Sequence, residues 1–285
     1  MISRTLKRLP GNLNSCAEPG RTPLPGPGPA EFLLKDISVS YRSVPALRSL
    51  TLHVPPGSAV AFVGPSGAGK TTLLRLLNGS VRPDAGRVLV SGSCLGELSP
   101  AALKRVRTRI GFVHQDLSLI PNLRAAQNVL TGRIGRQSLF GSLRSVFFPG
   151  RAELRDVHRI LERVGIAEKL FERTDHLSGG QRQRVALARA LYQQPTCLLA
   201  DEPVSSVDPA RARDMLQLLT RISREQDLTL CMSLHNLELA REFFPRIVGL
   251  RHGRIVFDGA GDRIGEDTFD ELYELTAEEI LQDGG

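Results

Sequence analysis

Apolar and polar positions between residues 32 and 63 set the first elements. Phe32-Leu33-Leu34-Lys35-Asp36-Ile37-Ser38-Val39-Ser40-Tyr41 and Arg48–Val54 carry the alternating, β-branched pattern of half-buried strands. Pro55-Pro56-Gly57 predicts a turn, and Ala59-Val60-Ala61-Phe62-Val63 a short strand buried on both faces. A glycine-rich loop follows, then a helix over Lys70–Leu77. Two later apolar runs, Cys197–Ala200 and Leu228–Ser233, have strand length. Strands separated by helical stretches predict an α/β fold with a mainly parallel sheet and helices on both faces. No run approaches the roughly 18 apolar residues of a membrane-spanning helix, so the chain is not expected to cross a membrane by itself.

Composition changes this picture at the N-terminus. Residues 1–30 hold ten Pro or Gly, four basic residues and one acid. Such a segment buries too little apolar surface to offset its ordering entropy and is expected to be a disordered tail. Four scattered cysteines (Cys16, Cys94, Cys197, Cys231) form no metal or disulfide spacing and point to a reducing compartment. The formal charge of +7 fits a polyanionic partner without choosing among nucleotide, nucleic acid and lipid. Within Leu117–Ala152, Arg124, Arg133, Arg136, Arg144 and Arg151 meet no acid, and Phe140, Phe147 and Phe148 lie among small residues. That insert is expected to be a surface facing another molecule.

Gly64-Pro65-Ser66-Gly67-Ala68-Gly69-Lys70-Thr71, followed by Thr72, fits G-x-x-x-x-G-K-S/T in full. Its glycines let successive amides converge on phosphate oxygens at the start of a helix whose dipole favours the anion. Lys70 is expected to reach the β- and γ-phosphates, and Thr71 to ligate Mg²⁺. The strand Cys197–Ala200 runs into Asp201 and Glu202. Asp201 suits water-mediated Mg²⁺ contact, and Glu202 suits the general base that polarises the attacking water. Paired with the phosphate loop, these acids argue for ATP hydrolysis. Ser178-Gly179-Gly180-Gln181 offers a second anion site at a helix start. One chain has no need of two γ-phosphate cradles, whereas two copies head to tail would use both.

The run Leu177–Leu191 resembles the signature of ABC ATPases, and the family's other motifs follow in order from about Phe32 to Tyr273. The resemblance implies a P-loop core, an N-terminal antiparallel β-subdomain and a helical subdomain over about 116–180, within a cassette spanning 31–285. It implies further roles: Gln115 as a Mg²⁺ ligand sensing nucleotide, Asp208 in Ser206-Val207-Asp208 as a contact to the opposite protomer, His235 at the γ-phosphate, and Tyr41 stacked on adenine. Val207 departs from the leucine commoner there. A single cassette without fused membrane spans resembles importer motors. Asn128–Arg136, Phe147-Phe148-Pro149, Ala200–Pro209 and Arg254–Gly259 resemble the ATPases of phosphonate importers. The implied partners are a second copy, an integral membrane permease and, through it, a periplasmic or surface substrate-binding protein, at the cytoplasmic face of the membrane, with ATP and Mg²⁺ as cofactors. The basic insert, Arg133 and Arg136 included, is then expected to face the permease and the anionic leaflet. The rival readings are a soluble ABC ATPase acting on nucleic acid and a subunit of a phosphonate-degrading assembly. With three tyrosines and no tryptophan for base stacking, no specific nucleic acid is expected.

Overall fold

The structure, a computed structural model, describes residues 28–136, 138–205, 207–263 and 272. The tail expected over 1–30 lies outside the described residues up to 27, as does Ser206. Ala30, assigned to that tail, is buried, with its amide donating to the Thr196 carbonyl at 3.1 Å. Packed chain therefore begins by residue 30.

Two long strands, β1 (Phe32–Tyr41) and β2 (Val44–Val54), pair antiparallel and lead into β3 (Ala59–Val63) and α1 (Lys70–Leu77). β4 (Ala85–Val90) and β5 (Ser93–Cys94) return to the first sheet, and α2 (Pro100–Arg107) precedes β6 (Ile110–Val113). A helical segment follows: α3 (Ala125–Leu130), α4 (Leu139–Phe147), α5 (Arg151–Arg163) and α6 (Gly179–Tyr192). The chain then alternates β7 (Cys197–Asp201), α7 (Pro209–Glu225), β8 (Thr229–Leu234) and α8 (Leu237–Phe243), and ends in the hairpin β9 (Arg246–Arg251) and β10 (Arg254–Gly259).

The strands form two sheets. One is antiparallel, ordered β2-β1-β4-β5; the other is ordered β10-β9-β3-β8-β7-β6 and is parallel except at β10. Alternation along the central strands divides the interior, because successive side chains point to opposite faces. Ala61, Leu198, Ala200, Leu230 and Met232 face a core built with α3, α5, α6 and α7. Val60, Phe62, Cys197, Leu199 and Cys231 face a second core, shared with α1 and the antiparallel sheet. Burial on both sides explains why these strands read as unbroken apolar runs.

Burial also sets the chemistry of the central thiols. It pushes Cys231 up to about 12, and Cys197 rises well above its ordinary range through burial and its neighbour Cys231. The thiolate is the reactive form. Iodoacetamide at pH 8 is therefore expected to leave both unmodified in the folded protein and to alkylate both after denaturation, as read by mass spectrometry. Modification at native conditions would contradict the burial.

Candidate functional site

The parallel strands end at a common edge. Val63 of β3 is level with Leu234 of β8, Ser233 with Asp201 of β7, and Ala200 with Val113 of β6. Whatever follows each strand therefore emerges together: the glycine-rich loop after β3, Glu202 after β7, His235 after β8, and His114-Gln115 after β6. In open α/β sheets, the crevice beyond the carboxyl ends of the strands is where ligands bind.

The loop's shape depends on two glycines. A Cβ on Gly64 (φ 148°) would sit 2.1 Å from the Leu250 carbonyl oxygen. One on Gly69 (φ 103°) would sit 2.6 Å from the Ala46 carbonyl oxygen, where β2 closes over the loop. Both neighbours are backbone, so neither gives way. Lys70 is buried, its Nζ donating to the carbonyls of Gly64 (2.8 Å) and Pro65 (2.9 Å) and lying 4.0 Å from Glu202 Oε1. Burial lowers the pKa of this ammonium, against the opposing pull of Glu202 and Asp201. Tyr41, Ser66, Gly67, Ala68, Gly69, Lys70, Thr71, Thr72, Gln115, Glu202 and His235 line one open cavity of about 310 Å³. Tyr41, 44 % exposed, presents an accessible ring at its side.

Beneath this cavity lies a relay of oxygen atoms. Thr71 Oγ1 donates to Asp201 Oδ1 at 3.2 Å, and Ser233 Oγ donates to the same oxygen at 2.7 Å. Ser233 Oγ also accepts from the Glu202 amide at 2.8 Å. Glu202 takes a left-handed backbone (φ 46°), and its Oε1 lies 2.5 Å from His235 Nε2. A hydroxyl, a carboxylate and the nearby Gln115 amide are hard, oxygen-bearing donors, which fits Mg²⁺ held in part through water.

Ser233 escaped the reading of the sequence. With Thr229 it is one of two polar residues in the otherwise apolar β8, fully buried, where a serine reads as filler. Its signal is chemical: a buried hydroxyl must find partners, and its partners are both acids' segments. Ser233→Ala is expected to lower stability by about 1–3 kcal/mol by leaving the Glu202 amide without its acceptor, while Asp201 Oδ1 keeps only the Thr71 hydroxyl. Its kcat should fall more than its KM rises, because Asp201 and Glu202 lose their shared anchor while the phosphate loop is intact. Denaturant melts and steady-state ATPase assays check this.

The remaining expected residues lie apart from the cavity. Ser178 caps α6, accepting from the Gln181 amide at 3.3 Å while its own amide donates to Gln181 Oε1 at 3.0 Å. Gly179 and Gly180 are open: a Cβ on either would meet nothing within 4 Å. None of these four lines the cavity that holds Lys70. Asp208 caps α7, accepting from the Arg211 amide at 3.0 Å. Beside it a groove of about 630 Å³ runs from Ser66, Glu202 and His235 to Pro209 and Arg213.

The family model described as ABC transporter matches residues 47–205. The chain belongs to the ABC transporter family. As an ABC ATPase it binds ATP. The phosphonates import ATP-binding protein PhnC of Pseudomonas fluorescens is 46% identical over 239 residues, which is 84% of this chain and 88% of that relative. PhnC 3 of Halalkalibacterium halodurans is 39% identical over 240 residues, 84% of this chain and 92% of that one. PhnC of Anaeromyxobacter dehalogenans is 46% identical over 258 residues, and the chain spans about half of its length (51%). Among solved structures, a dimeric ATP-binding cassette in a post-hydrolysis state bound to ADP and Pi is similar at a TM-score of 0.70. It is 29% identical, with 80% of this chain and 98% of that one covered.

Two of the five arginines of the basic insert, half-buried Arg133 and exposed Arg136, also bond to backbone carbonyls of the core. Arg133 donates to the Tyr192 carbonyl at 2.8 Å with its guanidinium 4.1 Å above the Tyr192 ring, and Arg136 donates to the carbonyls of Thr108 and Gln194. They tie the insert to the core, and Arg133 does so by meeting a carbonyl and an aromatic face at once, which its planar guanidinium permits. The aromatic residues do face out. On α4, Ser142, Ser145 and Val146 are buried while Phe140, Leu143 and Phe147 are exposed, with Phe148 just beyond.

Proposed function

We propose that this chain is the ATP-hydrolysing subunit of an importer that takes up a phosphonate or a related phosphorus oxyanion through a separate permease. One observation carries the reading: Lys70, Thr71, Glu202 and His235 converge on one strand edge, in a chain 39–46% identical to phosphonates import ATP-binding proteins. The cassette begins near residue 31, and its helical subdomain occupies about 116–180.

Two copies lie head to tail. Lys70 and the loop amides of one hold the ATP phosphates, Tyr41 stacks on the adenine, and Ser178–Gly180 of the other close on the γ-phosphate. Asp208 touches the opposite copy near the groove beside Glu202. Thr71, Gln115 and, through water, Asp201 would hold Mg²⁺, which would supply positive charge against the ATP phosphates. Glu202 accepts the proton of the attacking water, and His235 orients Glu202 and reads the γ-phosphate. The subunit is peripheral, at the cytoplasmic face of the membrane: among the described residues no helix is long and apolar enough to cross one. The outward apolar face of α4 meets the permease, since serines within and phenylalanines without make sense only where another surface covers them. The permease in turn receives cargo from a substrate-binding protein.

The test is ATPase activity of membranes containing the chain, its permease and a binding protein. Addition of phosphonate-loaded binding protein is expected to stimulate turnover. Activity confined to the soluble fraction, or stimulated by nucleic acid, would overturn the importer reading.

A further inference from the structure

Strand β6 ends at Val113 and the chain turns at once. The Leu117 amide donates to the His114 carbonyl at 3.0 Å, which places Gln115 and Asp116 at the corner of the turn. The next two residues, Leu117 (φ 59°) and Ser118 (φ 44°), are both left-handed. Consecutive non-glycine residues in that region carry a steric penalty and persist only where their surroundings hold them. Here the holder is Arg189. Its Nη2 donates to the Leu117 carbonyl at 2.8 Å and its Nη1 to the Ser118 carbonyl at 2.5 Å. Ser118 Oγ closes the turn by donating to Asp116 Oδ1 at 2.8 Å.

Arg189 lies on α6, eleven residues after Ser178. That is three helical turns, or about 16 Å along the axis. A third segment meets α6 at the same place: a Cβ on Gly132 would sit 2.3 Å from the Arg189 carbonyl oxygen, so the turn at 131–136 leading to α4 is pressed against it. One stretch of one helix thus grips both the Gln115 turn and the turn between α3 and α4, while its other end carries the Ser178-Gly179-Gly180 helix start.

We propose that Arg189 is a positioning residue coupling the two ATP sites: it locks the Gln115 turn to α6, so that nucleotide of the partner copy closing on Ser178–Gly180 also sets Gln115 in this chain's own site. This rests on the roles given above to Gln115 and Ser178. The planar guanidinium fork reaches two adjacent carbonyls at fixed geometry, whereas a lysine reaches them as a single point charge. Without the fork the left-handed pair relaxes and Gln115 loses its fixed position, while the loop around Lys70 is untouched.

The experiment measures ATPase activity against ATP concentration in the reconstituted transporter for the native chain, Arg189→Lys, Arg189→Gln and Gln115→Ala. Thermal melts and ATP affinity of each chain by itself are measured in parallel. Arg189→Gln is expected to lower kcat by about tenfold or more and to move the Hill coefficient from its native value toward one, the value for uncoupled sites. Its ATP affinity should stay within about twofold of native, since the phosphate contacts are separate. Arg189→Lys should fall between. Native kcat and Hill coefficient in Arg189→Gln would overturn the coupling role. So would a fall in affinity and melting temperature parallel to the fall in kcat, which would mark a support of the fold alone. Native turnover in Gln115→Ala would instead remove the role of Gln115 and the coupling with it.

Discussion

Glu202→Gln is expected to lower ATP turnover by about 10²–10⁴-fold, the range a positioned general base supplies, with ATP affinity unchanged. The substitution keeps shape and removes only the proton acceptor and its charge. Glu202 sits where both matter: its Oε1 is 2.5 Å from His235 Nε2 and 4.0 Å from Lys70 Nζ, with the side chain 12% exposed. Its position is set by the backbone, since the left-handed φ and the amide bond to Ser233 Oγ belong to the main chain and survive the change. The contacts to phosphate lie on a different element and also survive. Single-turnover phosphate release and ATP titration together check this. Turnover within threefold of native would move the base elsewhere, with His235 the nearest alternative. A loss of ATP affinity as large as the loss of rate would show instead that Glu202 supports binding.

Much of this site is legible in the sequence because its signals are local. The phosphate loop is eight consecutive residues between a buried strand and a helix, and the observed β3 and α1 keep the bounds that pattern predicts, Ala59–Val63 and Lys70–Leu77. The pair Asp201-Glu202 stands at the end of an apolar run, so its place at a sheet edge follows from the run. Elements defined by distant partners are harder to read. β4, β9 and β10 contain arginines and glycines that weaken the strand pattern, and they are strands because β1, β3 and β9 respectively hold β4, β9 and β10 by their backbones. Arg133 reads as free surface charge because a count of charges cannot reveal the Tyr192 carbonyl and ring that receive it. Ser233 and Arg189 share this character. Each acts on residues more than thirty positions away, and neither carries a local pattern that says so.

The head-to-tail arrangement makes the second large prediction, one that a self-contained site would not produce. Lys70→Ala removes the ammonium from the phosphate loop, and Gly179→Glu places a carboxylate where Gly179 now meets nothing within 4 Å. Each variant by itself is expected to retain a few per cent of native ATPase or less, because every site in its dimer combines one good half with one spoiled half. Mixed in equal amounts before ATP is added, the two should recover activity. Statistical pairing makes half the dimers mixed, and each mixed dimer holds one site spoiled twice and one site intact. If the intact site works alone, activity returns to roughly a quarter of native. A dimer that requires both sites to fire together would recover less, in step with the Hill coefficient of the native protein. The carboxylate acts by repelling the γ-phosphate, so Gly179→Ala, which fits the same open space without charge, is expected to lose far less. Recovery absent from the mixture, while each variant still melts at the native temperature and Gly179→Glu alone still binds ATP, would mean that Ser178–Gly180 does not complete the partner's site. The open helix start on α6 would then need another ligand. Recovery near a quarter would assign the two anion cradles of this chain to two different ATP molecules.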